Sequence, residues 1–225
     1  MQNLNYNNKD KMIGIGVITH ERPKHIEFVL ECIRHTTSGD FKVFIYDDSI
    51  KKKGIAYGKN QCLEGLKGCD HIFLFDDDCF PKKVGWTDYF INSGYKHLLY
   101  MNKDYGIFAQ NEDVFYCANA SGVFMYLTKE VFDKVGYFNP AYGRFGFEHA
   151  GYSKRIFNAG FTLTNFQVLH KTSEYIYALD IDGTKGYEFL KHESTVTGAE
   201  RRKCIDENDP IYIAETTSKQ IYYDK

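Results

Sequence analysis

Cysteine pairs at short spacing are missing from this chain. Its six cysteines, Cys32, Cys62, Cys69, Cys79, Cys117 and Cys204, include no Cys-x-x-Cys, which excludes the common structural zinc sites and offers no disulfide framework. They read instead as reduced thiols of a cytoplasmic protein. No apolar run approaches the ~18 residues of a spanning helix, so the expectation is a protein with no integral membrane segment and at most a peripheral membrane contact. The first eleven residues are polar and Asn-rich, without the apolar core of a signal peptide, and are expected to form a flexible tail. Neither sign of charge dominates: 28 Lys and Arg against 30 Asp and Glu give a net charge of -2, which excludes a globally basic nucleic-acid binder. There is no internal repeat, and prolines number only four.

Aromatic residues, by contrast, are abundant. Eighteen Tyr and eighteen Phe within a 43% hydrophobic composition are ample for a large core, and 225 residues fit one domain with a C-terminal extension. The central feature is His71-Ile72-Phe73-Leu74-Phe75-Asp76-Asp77-Asp78, an apolar strand that runs directly into three carboxylates. Such an unbroken apolar run suits a strand covered on both faces, as in parallel sheets. If the chain stays extended, Asp76 and Asp78 point the same way and can share a hard divalent cation, Mn2+ or Mg2+, that keeps positions for water or phosphate oxygens. A solvated, Asp-rich turn is the alternative reading.

The surrounding pattern alternates. Met12 to Thr19 reads as a strand, and Pro23 opens a helix with Ile26, Val29, Leu30 and Ile33 on one face. Lys42 to Tyr46 is a second strand ending in Asp47-Asp48. Ala56 to Lys67 is a helix closed by Gly68, and Pro81 is expected to open another toward Lys96. Strand, helix, strand, helix, strand argues for βαβ units, a mostly parallel sheet and ligands at the carboxyl ends of its strands. Thr19, Asp47, Asp48 and Asp76 to Asp78 all lie at those ends. Beyond them come an irregular stretch from Tyr100 to Asn119, a strand from Gly122 to Leu127 and a short helix with Thr128 as N-cap and Gly136 as stop. A glycine-containing loop then delivers Glu148-His149 to a further helix, and a strand from Phe161 to Leu169 ends at His170.

In this order, the segments resemble the nucleotide-sugar glycosyltransferases of the GT-A fold, family 2 above all, over residues 12–175. Ile18-Thr19-His20-Glu21-Arg22-Pro23 is similar to the first-strand signature, Tyr46-Asp47-Asp48-Ser49 to the second-strand Asp-Asp-Gly-Ser with its Gly missing, and Lys59-Asn60 stands where Arg-Asn is usual. Asp76-Asp77-Asp78 takes the place of the Asp-x-Asp motif. Gly136-Tyr137-Phe138-Asn139, Glu148-His149 and Arg155 to Gly160 resemble the later signatures. The resemblance implies a single α/β domain of Rossmann-like GT-A architecture, its mostly parallel sheet flanked by helices. Residues 12–98 would form the nucleotide-binding half, 99–175 the acceptor half, and 176–225 an extension on the acceptor side.

It further implies transfer of a sugar from a nucleoside diphosphate donor, with a uridine diphosphate sugar expected. The acceptor hydroxyl would lie on a glycan, a lipid-linked sugar, a protein or a modified DNA base. Thr19, Arg22, Asp47, Asp48, Lys59, Asp76 and Asp77 would contact the donor, and Asp76, Asp78 and His170 the cation. Glu148 and His149 would serve the acceptor, His149 replacing an acid that is a general base in inverting relatives; stereochemistry stays open. A metal-dependent nuclease or phosphodiesterase, a nucleotidyltransferase and a non-catalytic nucleotide-sugar-binding protein are the competing readings. The first loop, Thr19 to Pro23, lacks the Gly-rich pattern of nucleotidyltransferases, and there is no Walker loop, no third dinucleotide-binding glycine and no Gly-x-Ser-x-Gly elbow.

Overall fold

The computed structural model describes residues 11–101, 106–191 and 197–224. The expected flexible tail lies outside them except for Lys11. Along the chain come β1 (Ile13–Thr19), α1 (Pro23–Thr36), β2 (Phe41–Asp47), α2 (Ile55–Gly65), β3 (His71–Asp76), β4 (Cys79–Pro81), α3 (Trp86–Asn92), β5 (His97–Tyr100), β6 (Ile107–Gln110), β7 (Val114–Cys117) and β8 (Ser121–Thr128). Then follow α4 (Lys129–Val135), α5 (Glu148–Asn158), β9 (Phe166–Leu169), α6 (Thr172–Tyr175), β10 (Ile176–Ala178), α7 (Leu179–Asp182) and α8 (Gly198–Thr217).

The alternation of side chains along β3 explains the layering. Phe73 and Phe75 enter one core with Val29, Ile33, Trp86 and Phe90, whereas Ile72 and Leu74 enter the other with Leu63, Leu127 and Ile156. The central sheet therefore runs β2-β1-β3-β8-β5 with helices on both faces. β1 pairs in parallel with β2 and β3, while β8 is antiparallel to β3 and to β5. The sheet is thus mixed: its parallel core carries the expected βαβ units, and its other half does not. Parallel register sets Thr19 beside Asp47 and Ile18 beside Asp76, which gathers three strand ends at one rim.

Several expectations are corrected. Pro81 ends β4, and α3 starts at Trp86 after the left-handed Gly85. The stretch before Asn119 contains β6 and β7, which join β9 in a separate three-stranded sheet, and β9 starts at Phe166 rather than Phe161. Thr128 occupies the N-cap of α4 but accepts no capping hydrogen bond. α2 is closed by Leu66, two residues before Gly68. Among the described residues no helix is long and apolar enough to cross a membrane.

The described part of the chain after Tyr175 is bonded into the domain chiefly by β10 and α8. β10 pairs antiparallel with β4, opposing Ala178 to Cys79. α8 is anchored to α5 by Arg155 and Glu215, both buried, with Nε 2.7 Å from Oε1. Arg155 also donates to the carbonyls of Val135, Tyr137 and Ile221, and Tyr142 donates to Glu215 Oε2, so the pair is fully hydrogen-bonded. Removing one partner of a buried pair strands the other charge at a cost of about 3–5 kcal/mol. Glu215→Ala should therefore lose stability of that order in urea unfolding, and Arg155→Met combined with Glu215→Leu should lose distinctly less.

Candidate active site

At the rim, the three acids of the β3 end divide into two kinds. Asp77 is locked by the protein itself: Thr19 Oγ1 donates to Oδ2 at 2.7 Å, the His20 N–H to the same oxygen at 3.3 Å, and Arg22 Nη1 to Oδ1 at 2.9 Å. Arg22 reaches Asp78 Oδ2 at 3.3 Å as well. Asp76 and Asp78 each retain one inaccessible oxygen, Oδ1, without a hydrogen-bond partner among the described residues. Orphaned carboxylate oxygens of this kind are costly; β3 ends at Asp76 and Asp77-Asp78 form a turn into β4, so the extended alternation expected of the three acids is not what places them.

A buried lysine lies behind them. Lys59 of α2 is fully inaccessible, with Nζ donating to the Gly122 carbonyl at 2.9 Å and standing 3.5 Å from Glu148 Oε1 and 3.9 Å from Asp76 Oδ1. It does not line the cavity, so the expected donor contact is corrected to a counter-charge beneath the site, because α2 turns this residue toward the sheet. Burial pushes the Asp76 carboxyl up to about 6 in spite of Lys59. Burial, with Asp180 and Asp76 nearby, also raises Asp78.

Glu148 and His149 are placed beside this lysine and not in the cavity. Glu148 is buried at the first turn of α5, accepting from the Gly146 N–H at 3.0 Å. Burial opposes its ionisation, but the His149 hydrogen bond and the Lys59 charge outweigh it and hold its carboxyl well below the usual range. His149 Nδ1 faces Glu148 Oε1 at 3.4 Å and Nε2 faces the Ala120 carbonyl at 3.0 Å, so both ring nitrogens are occupied. Its side chain lies over Gly122, where an added Cβ would sit 2.6 Å from His149 Cβ and 2.7 Å from the ring Cγ. The preceding Phe147 is left-handed at φ +66°, a strained conformation for an aromatic residue, and stacks on Tyr212 at 4.9 Å.

The second-strand acids separate too. Asp48 is buried and lines the cavity, taking the N–H groups of Lys53 and Gly54 at 2.8 Å each. Asp47 is exposed and bonded to Ser49, away from the cavity. His170 follows β9 in the other sheet and does not line the cavity; its ring centroid is 4.1 Å from that of Phe115, and its buried Nε2 has no hydrogen-bond partner among the described residues.

The cavity itself, about 870 Å3, is lined by Thr19, Arg22, Asp48 and Asp76 to Asp78 on the sheet side. Further residues complete it: Asp180 at the start of α7, Arg144, Phe145 and Lys191, none of them singled out in the sequence, together with Lys52 of the lysine-rich loop and Arg201. Asp180 is placed by β10, and the Leu179 N–H donates to the Asp78 carbonyl at 2.9 Å. Its exposed carboxylate makes no hydrogen bond or ion pair among the described residues. The only sequence signal was the acidic Asp180-Ile181-Asp182-Gly183, about 100 residues from its neighbours.

A divalent cation fits part of this arrangement. Among the described residues no three His, Cys, Asp or Glu side chains are arranged to enclose an ion, but Asp76 and Asp78 both line the cavity and each keeps one buried carboxylate oxygen without a hydrogen-bond partner, a hard-donor pair that a divalent cation would suit. With chelator present, Asp76 gives a pH signature. Its folded value lies above the usual 3.8, so ionising it costs stability as pH rises from about 4 to about 6, and the cost is complete above that. Asp76→Asn should therefore melt above the parent protein at pH 7 and level with it at pH 4; an equal difference at both pH values would contradict the desolvated acid.

No family model and no curated protein matches the chain. Solved structures do. The catalytic domain of Drosophila β1,4-galactosyltransferase 7, in complex with xylobiose, superposes with a TM-score of 0.51 at 14% identity over 86% of this chain and 79% of that one. A mutant of the same enzyme with manganese, UDP-Gal and xylobiose gives 0.53 at 14% identity, covering 84% and 82%. Staphylococcus aureus TarS gives 0.53 at 14% identity over 92% of this chain and 44% of that one. With a parallel core joined to an antiparallel half, helices on both faces and acids at the β3 end, the chain has the GT-A fold of the nucleotide-sugar glycosyltransferases.

Proposed function

We propose that this protein is a metal-dependent glycosyltransferase that moves a sugar from a nucleoside diphosphate donor to an acceptor hydroxyl. The observation that carries the reading is the pair of incompletely hydrogen-bonded acids Asp76 and Asp78, which line a cavity of ligand size at the carboxyl ends of parallel strands. A uridine diphosphate sugar is the donor we favour, since the superposed galactosyltransferase is described with UDP-Gal and manganese. In this reading Asp76 and Asp78 hold Mn2+ or Mg2+, which neutralises charge on the departing diphosphate as a Lewis acid. Asp48 and Thr19 border the nucleotide, and Arg22 keeps Asp77 and Asp78 in register. The acceptor classes are those expected above, and the cytoplasm, where six free thiols persist, is the location we favour.

The chemistry breaks the bond between the anomeric carbon and the diphosphate oxygen and forms one to the acceptor oxygen, whose proton must be taken up. We assign that proton to Asp180. It is a cavity carboxylate that the metal reading leaves unused and that makes no hydrogen bond or ion pair among the described residues, whereas Glu148 and His149 are occupied by Lys59, Gly146 and Ala120. Glu148 and His149 then act as positioning residues beneath the acceptor side.

A thermal-shift series of nucleotide sugars with Mn2+, Mg2+ or chelator tests the reading, because a ligand of the folded state raises the melting temperature by mass action. A metal-dependent shift with one nucleotide class is expected, and Asp78→Ala should abolish it. A shift that survives in that variant would overturn the metal assignment. Asp180→Asn should keep the donor shift while lowering the transfer rate by about 10²-fold or more; unchanged transfer would remove Asp180 from the chemistry.

A further inference from the structure

One wall of the cavity remains unused by the donor chemistry, and it is basic. Lys52, Arg144 and Arg201 come from three distant segments, yet they are structurally continuous. Asp48 bonds the backbone of Lys53 and Gly54, and the Ile55 N–H donates to the Arg144 carbonyl at 3.0 Å. Gly54, at φ +92°, lies so close that a Cβ there would sit 2.7 Å from Arg144 Cα. On the other side, Asn208 of α8 receives the Gly143 N–H at 3.0 Å and donates to the carbonyls of Phe145 and Gly146 at 2.9 and 3.0 Å. The first turn of α8 is fixed by a Thr197–Glu200 capping box and places the Arg201 guanidinium over the Phe145 ring, 5.6 Å from its centroid. Lys191 adds a fourth cation to the lining.

These charges are not needed to neutralise the acids opposite. Arg22 serves Asp77 and Asp78, Lys59 serves Asp76 and Glu148, and a divalent cation at Asp76 and Asp78 would supply the charge a diphosphate requires. Lys52 has only an exposed partner, Glu21 at 3.4 Å, a contact of little worth. The chain as a whole carries a net charge of -2, so this concentration of cations is local. Exposed guanidinium groups beside a half-buried aromatic ring on a rigid wall suit phosphate oxygens next to a planar or apolar group.

Resting on the transferase reading, we propose that the acceptor is a phosphate ester, held by Lys52, Arg144 and Arg201 while its hydroxyl faces Asp180 and the donor. The test is direct binding of two phosphate trimers of equal charge, the thymidine trinucleotide pTpTpT and a glycerol-phosphate trimer, to the full chain in chelator, with maltotriose as the neutral control. Both trimers should bind and maltotriose should not, with affinity falling by about an order of magnitude between 50 and 200 mM salt if three phosphates are neutralised. Arg144→Glu combined with Arg201→Glu should weaken both trimers by roughly tenfold or more while leaving UDP with Mn2+ within about twofold. Tighter binding of pTpTpT would assign a base to Phe145, and equal binding would assign the phosphates alone. Absence of trimer binding, or an equal loss of UDP with Mn2+ in the double variant, would overturn the proposal, the second result giving the wall to the donor diphosphate. Asp78→Ala separates the two readings: it should lose UDP with Mn2+ and keep the trimers.

Discussion

The site is built around an ammonium group placed where water cannot reach it. Lys59 Nζ stands between Asp76 at the end of β3 and Glu148 at the start of α5, and donates to the Gly122 carbonyl of β8. A buried charge is tolerable only when paired and hydrogen-bonded, so α2, β3, β8 and α5 must assemble together for any of these groups to be stable. The pairing is unequal. Glu148 is held ionised, with His149 and a backbone N–H adding to Lys59, whereas Asp76 remains an acid with an elevated value and a spare oxygen. Lys59 therefore stabilises the frame without fully satisfying the acid that faces the cavity.

The same asymmetry separates structure from chemistry among the three adjacent aspartates. Asp77 has spent both its oxygens on Thr19, His20 and Arg22, so it joins the end of β1 and the start of α1 to the end of β3. That bond set holds Asp76 and Asp78 on either side of a fixed point. Three carboxylates in a row would otherwise repel one another; Asp77 is neutralised most completely by the fold, and Asp76 and Asp78, only partly paired with Lys59 and Arg22, keep one oxygen each without a hydrogen bond. The competing reading of a solvated acidic turn does not suit side chains so largely withdrawn from water.

Much of this was legible in the sequence because it depended on local pattern. The β3 run, the helix with Val29 and Ile33 on its buried face, and the Gly136 stop of α4 follow from periodicity and glycine geometry, and each element is present near the expected bounds. What was not legible depended on pairing between distant segments. His170 was expected as a ligand from the resemblance, and it ends a strand that belongs to a different sheet. Lys59 was expected at the donor because it stands where the resembled family has Arg-Asn; only the seating of α2 on β1 and β3 shows it buried. Asp180 carried almost no signal, since its position is created by the three-residue pairing of β10 with β4.

That pairing and the docking of α8 give the last 50 residues their part in the site. β10 returns the chain to the segment just past Asp78 and leaves Asp180 at the cavity, while Asn208 fastens the Gly143–Gly146 loop that carries Arg144 and Phe145. Glu215 and Arg155 secure α8 farther along, in surroundings that are dry and fully hydrogen-bonded. The acids thus rest on the parallel core, whereas the basic wall is shared between that core, through Lys52 and the Ile55–Arg144 bond, and a helix near the C-terminus held by Asn208 and a buried ion pair. A change confined to α8 can alter the basic wall while the arrangement of Asp76, Asp77 and Asp78 stays intact, which allows recognition at the wall to vary without rebuilding the acid site.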